Sequence, residues 1–319
     1  MTATRPPGPA REGPTRVGER STAAVGFAPC LNPATVTGSP LERFVDVAAA
    51  AGFGFVELSI QQAQAHGPER TAELLDAHGL RVAAACGILP AGPVLPEPLL
   101  IPEDRYRDLI RHLPQRLAAF TAIGCPVATI VLNPRSHLPT ARARTLAVVR
   151  LRELAAAAAD VGVRLAVEAV GVRTGLPPNL DGPHPVAATL PQLADLLADA
   201  DHPTLSVLVD SYHWAATGAD PAHITGLPHG QVAHVQIADT PTDTSVSTPP
   251  GEWTDAMRLF PGDAALPWPA FGAALAANGY TGPASVELFN PDLRALPEPE
   301  VAARAFDGAA SRWTPEAHP

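Results

Sequence analysis

The chain has 319 residues, with 32 acidic against 22 basic side chains, and its net charge of −10 argues against a nucleic-acid partner, whose phosphates it would repel. At 46% hydrophobic and 17% charged it has the composition of a soluble globular protein, with no apolar run near the roughly 20 residues of a membrane span. All 22 basic residues are arginine, so Schiff-base, pyridoxal-phosphate and P-loop mechanisms, which need a lysine amine, are excluded.

Residues 1–22 carry arginines but no apolar core of a secretion signal, and read as a disordered N-terminal tail. From there β-like runs alternate with amphipathic or alanine-rich stretches, several of them ending in Gly as a helix C-terminus does. The predicted strands are 24–28, 54–58, 81–86, 127–133, 164–170, 205–211, 232–238 and 284–289. Eight β/α units imply an α/β fold, a single closed (β/α)8 TIM barrel over 23–312 followed by a short C-terminal tail at 313–319. An open doubly wound sheet fits less well, because the turn after the first strand, "PCLNPATV", lacks GxGxxG. Two long connections, 87–104 after the third strand and about 240–266 after the seventh, fall on the face where barrel active sites are built. The three cysteines, Cys30, Cys86 and Cys125, lie far apart among apolar residues and suit reduced thiols, hence a cytoplasmic setting.

The exits of four consecutive predicted strands carry polar groups: Glu168, Asp210, His234 or Gln236, and Glu287. In a closed barrel these converge, and three carboxylates at one point call for a cation among them. Of the two candidates in "AHVQIADT", both on one face of the strand, Gln236 lies about 7 Å nearer the exit than His234. Three carboxylates and an amide oxygen suit Mn²⁺ or Mg²⁺, with Co²⁺ a further fit, better than Zn²⁺. Glu57, in "FVELS", is expected across the barrel from the others, either structural or a substrate contact.

The order Glu168, "DSYH" (210–213), "HVQIAD" (234–239), "FPGD" (260–263) and "GYTGPASVELFNPDLR" (279–294) resembles the xylose isomerase-like barrel family of sugar phosphate isomerases and epimerases, over about residues 24–310. The resemblance implies one divalent metal held by Glu168, Asp210, Gln236 and Glu287, with Glu168 and Glu287 also the acid/base pair. It further implies chemistry through an enediolate of a small hydroxy-ketone, with His213 stabilising the developing charge. Arg258 is a candidate for binding a substrate carboxylate or phosphate, and His137 and Arg135 are weaker candidates on the same face. "ELFNPDLR" and "EWTDAMRLFPGD" are most similar to the dehydroshikimate dehydratase branch, yet of that branch's Ser-Arg-x-His-Arg run only Arg258 is present. Three functions follow: an isomerase or epimerase, a lyase using the same enolate, or a non-catalytic ligand-binding barrel. The related abasic-site endonucleases lack support, since their "DxH" after the seventh strand and a basic groove are missing. The expected partner is a small-molecule substrate, with neither nucleic acid nor membrane; a homo-oligomer is left open.

Overall fold

A computed structural model describes residues 1, 26–36, 39–91, 96–241, 249–264 and 266–313. The tails expected at 1–22 and 313–319 fall almost wholly outside these residues, as does part of the long connection at 240–266.

Eight parallel strands close into a barrel: β1 (Pro29–Leu31), β2 (Phe55–Ser59), β3 (Arg81–Cys86), β4 (Val127–Leu132), β5 (Arg164–Ala169), β6 (Leu205–Asp210), β7 (Val232–Ile237) and β8 (Ala284–Val286). Each pairs with its neighbours in sequence, and β8 returns to β1 through Pro29↔Ala284 and Leu31↔Val286. Two expectations shift. The first strand is Pro29–Leu31 and not 24–28, of which 24 and 25 lie outside the described residues; the last is Ala284–Val286, shorter than 284–289. An unexpected two-residue antiparallel ribbon, Arg135–Ser136 against His184–Pro185, ties the loops after β4 and β5 together.

Strand alternation sorts the side chains into two shells. Leu165, Val167, Val209, Val235 and Ile237 face outward into one large apolar cluster with the surrounding helices. These helices present matching stripes; Leu41–Ala51, for example, buries Leu41, Phe44, Val45 and Ala48. The inward set is small at the barrel floor, where Ala84, Val127, Ala166 and Leu208 form a cluster of their own. Above that floor the inward positions become polar, and these are the positions nearest the strand exits. No helix of the described residues is long and apolar enough to cross a membrane.

Candidate functional site

The register brings the polar side chains to one place. Asp210 is level with Gln236, and Gln236 with Ser285, while Glu168 lies beside Leu208 one strand earlier. Asp210 ends β6 and caps the helix Ser211–Ala216, its Oδ1 accepting from the His213 backbone N–H at 2.9 Å. That cap fixes His213 three residues on, one turn above the strand end. Gly171, just past β5, admits this helix closely: a Cβ there would meet the His213 carbonyl oxygen at 2.2 Å.

The resulting cavity encloses about 390 Å³ and is lined by Glu57, Glu168, His213, Gln236, Arg258 and Glu287, with apolar walls from Pro33, Pro96, Val131 and Phe289. Ligand atoms of Glu168, Asp210 and His213 all lie within 4.8 Å of one another. Burial drives the Glu168 carboxyl well above the usual carboxylate range, with Glu287 and Asp210 adding to the rise. Burial does the same to Glu287, and the nearby Arg258 offsets it only in part. His213 is held below its ordinary value by burial, against the pull of Asp210.

Arg258 is the cation of the site. Its Nη1 donates to Asp210 Oδ2 at 2.6 Å and lies 3.5 Å from Glu287 Oε2; Nε and Nη2 donate to Asp255 Oδ1 at 3.1 and 3.0 Å; and Nη2 lies 3.2 Å from His213 Nε2. Tyr212 and Phe289 cover the guanidinium at 4.9 and 5.4 Å from their ring centroids. The side chain expected to reach for a substrate anion therefore binds the protein's own carboxylates.

Glu57 stands on β2, opposite β6 in the closed barrel, and its side chain reaches the other groups over the interior: Gln236 Nε2 donates to its two oxygens at 3.2 and 3.3 Å, and Asn32 Nδ2 donates to it at 3.0 Å. His234 Nε2 stands 2.9 Å from Glu57 Oε1, one layer below Gln236 as its earlier place in the strand requires. Burial alone would raise the Glu57 carboxyl, but the adjacent His234 and the Asn32 N–H outweigh it and hold it below the usual range. Asn32 and Gln236 both donate to Glu287 Oε1 as well, at 3.1 Å each, so Glu57 and Glu287 share donors. His137 departs from its expected place, since it is exposed and lines an adjoining groove with Arg135 and Arg173 instead of the cavity. Two residues of the site went unanticipated. Asn32 was hidden because the first strand was placed five residues early, and Asp255 because its only signal is the i, i+3 spacing to Arg258 in "DAMR".

Residues 45–311 match the family described as Xylose isomerase-like TIM barrel. The chain belongs to that family. Within it, this xylose isomerase-like barrel is 36% identical to a 3-dehydroshikimate dehydratase of Pseudomonas putida over 133 residues, which are 42% of this chain and 20% of that protein. The chain thus matches about a fifth of that dehydratase's length. It is 24% identical to an inosose isomerase of Halalkalibacterium halodurans over 64% of this chain and 68% of that one. A xylose isomerase domain protein from Alicyclobacillus acidocaldarius superposes with a TM-score of 0.75 at 25% identity, covering 88% of this chain and 95% of that one. The zinc-bound IOLI protein shares the fold, with a TM-score of 0.75 at 20% identity over 90% and 99% of the two chains.

The family typically binds a divalent metal, and the side chains of this barrel fit one. Gln236 Oε1 is buried without a hydrogen-bond partner among the described residues. Both amide hydrogens of Gln236 are taken by Glu57 and Glu287, so its oxygen is left as a free acceptor beside three carboxylates.

Proposed function

We propose that the chain is a divalent-metal-dependent enzyme that moves a proton beside the carbonyl of a small hydroxy-ketone, as an isomerase or epimerase. The observation that carries this reading is the pair of buried glutamates, Glu168 and Glu287, both driven well above ordinary carboxylates within one cavity. Glu168, Asp210, Gln236 and Glu287 would hold the metal, which when bound supplies Lewis-acid polarisation of a carbonyl.

The remaining roles belong to side chains of the chain itself. One glutamate takes the proton from carbon and the other returns it at the neighbouring position or on the opposite face; raised carboxyls are suited to both acts near neutral pH. His213 is neutral at that pH, and the Arg258 N–H directed at its Nε2 places its own hydrogen on Nδ1. The Asp210 cap and the Gly171 contact keep this imidazole fixed beside Glu168, 3.5 Å away. Pro33, Pro96, Val131 and Phe289 keep water from the reacting carbon.

The test is solvent exchange. In D2O the substrate gains deuterium beside its carbonyl, and Glu168→Gln or Glu287→Gln reduces exchange by about 10² to 10⁴, with metal content assayed in each variant. Undiminished exchange in both variants rejects the reading. A second reading, a lyase expelling a β-hydroxyl from the same enolate, is favoured by the 36% identity with the dehydratase; product NMR separates the two, because only the lyase forms an alkene.

A further inference from the structure

An amide side chain has an oxygen end and a nitrogen end of nearly the same shape, so neighbours decide which end of Gln236 faces the site. Its Nε2 donates to Glu57 Oε1 and Oε2 at 3.2 and 3.3 Å and to Glu287 Oε1 at 3.1 Å, and its Oε1 has no partner among the described residues. Turned over, the amide would set its oxygen against carboxylate oxygens at those same distances and aim its hydrogens away from every acceptor it now uses. Glu287 is itself one of the proposed metal ligands. That leaves Glu57 as the carboxylate whose hold on the amide does not compete with the cation.

Glu57 is fixed in turn. His234 Nε2 lies 2.9 Å from its Oε1, and Asn32 Nδ2 donates to the same oxygen at 3.0 Å. Asn32 is also an amide, but its sense is set by the main chain: its Oδ1 accepts from the Ala34 backbone N–H at 2.7 Å, which turns Nδ2 toward Glu57. A peptide N–H can only donate. The polarity it imposes passes from Asn32 Nδ2 to Glu57, from Glu57 to Gln236 Nε2, and emerges at Gln236 Oε1. Asn32, Glu57, His234 and Gln236 are all buried, so solvent offers little competition along this series.

We propose that Glu57 is a positioning residue that acts through Gln236, fixing its amide so that the oxygen and not the N–H end faces the cation. This rests on the reading of Gln236 as a metal ligand and supplies the reason its electron-pair end is the one presented. It gives Glu57 a role other than substrate contact, and it makes Asn32 the link that carries the orientation from the backbone.

The experiment is a double-mutant cycle read by calorimetric Mn²⁺ titration of the full chain, with melting in EDTA showing that each variant folds. In Glu57→Gln the new side chain can both donate and accept, so either sense of the Gln236 amide is satisfied, and Mn²⁺ binding is expected to weaken by about 10-fold or more. Gln236→Ala is expected to weaken it as much. Adding Glu57→Gln to Gln236→Ala is expected to change Kd by less than about 2-fold, because the amide through which Glu57 acts is gone. Glu57→Asp keeps the charge but withdraws the carboxylate by one methylene; it is expected to follow Glu57→Gln in both backgrounds, and it decides the matter if Glu57→Gln does not fold. Equal weakening with and without Gln236 would mark an effect of charge or of folding and overturns the proposal. So does an unaltered Kd in Glu57→Gln beside a weakened Gln236→Ala, which leaves Gln236 a ligand. If Gln236→Ala binds Mn²⁺ as wild type does, the ligand reading itself falls and the proposal falls with it.

Discussion

Gln236 and His234 sit two positions apart on the same face of β7, and the barrel gives them different work. Gln236 is level with Asp210 and Ser285 at the strand exits, its nitrogen fixed by Glu57 and Glu287 and its oxygen unpartnered. His234 lies a layer lower, buried against Glu57 at 2.9 Å. The two truncations should therefore separate. Gln236→Ala is expected to weaken Mn²⁺ binding by about 10-fold or more, the usual effect of losing a group in or next to a metal's ligand set. His234→Ala leaves the Glu57 carboxylate buried with one partner fewer and is expected to cost about 3 kcal/mol of stability. Calorimetric metal titration and urea unfolding of both variants check this; a His234→Ala protein that folds normally but loses the metal would reverse the assignment. Glu57 belongs to the same lesson. It stands across the barrel as expected, and because eight strands enclose an interior only a side chain or two wide, a long carboxylate from β2 reaches the amide from β7.

At the scale of elements, the connection after β7 decides where Arg258 stands. Asp239 and Leu259 exchange backbone hydrogen bonds at 2.9 and 3.0 Å, which pins the chain one residue past Arg258 to the strand exit. The Asp239 carboxylate then accepts from the backbone N–H groups of Gly262, Ala264 and Leu266 at 2.9, 3.2 and 3.1 Å, and from the Trp268 indole at 3.2 Å. With the Thr240 backbone N–H at 2.9 Å, Asp239→Ala removes the acceptor from five donors, three of them in one short turn, and is expected to destabilise the protein by about 3 kcal/mol. The same variant should become open to limited proteolysis within residues 254–264, and a loss below about 1 kcal/mol with an unchanged cleavage pattern would show that the turn stands without this carboxylate. Little of this device can be read from sequence, because "ADTPTD" and "FPGD" lie far apart in the sequence and only the fold brings them together. The strands were more legible. β2 to β7 fall close to their expected places because runs such as "LAVEA" and "LSVLVD" are mostly apolar and bounded by turn-forming residues such as Gly and Pro. The expected first strand lies five residues before β1 because the apolar run "AVGFA" has the stronger β pattern, whereas the pairing of "PCL" is enforced by β8 and β2 and not by its own composition. The early placement conceals Asn32, which with Gln236 joins Glu57 to Glu287.

For the whole molecule, the concentration of carboxylates at one end of the barrel ties stability to pH and to metal. Glu168 and Glu287 are raised in the folded chain, chiefly by burial, so between the unfolded glutamate value of about 4.3 and their raised values the native state binds more protons than the unfolded one. Stability then falls as pH rises through that window, since its slope follows the protons bound by the unfolded state minus those bound by the native state. Glu57 and Asp255 are lowered, and they act in the opposite sense and a different range: their contribution is complete above the unfolded carboxylate values and is lost only as pH falls below about 4. Metal-free protein should accordingly show its highest melting temperature in mildly acidic buffer and a declining one as pH rises above about 5. A divalent ion held by the ionised carboxylates binds more tightly as they lose their protons, so the rise in melting temperature on adding Mn²⁺ should grow over the same interval and flatten the decline. Scanning calorimetry in EDTA and in excess Mn²⁺ across this range checks both halves. Coincident curves at every pH would remove the metal from the site, whereas a parallel offset without change of slope would place the ion away from Glu168 and Glu287.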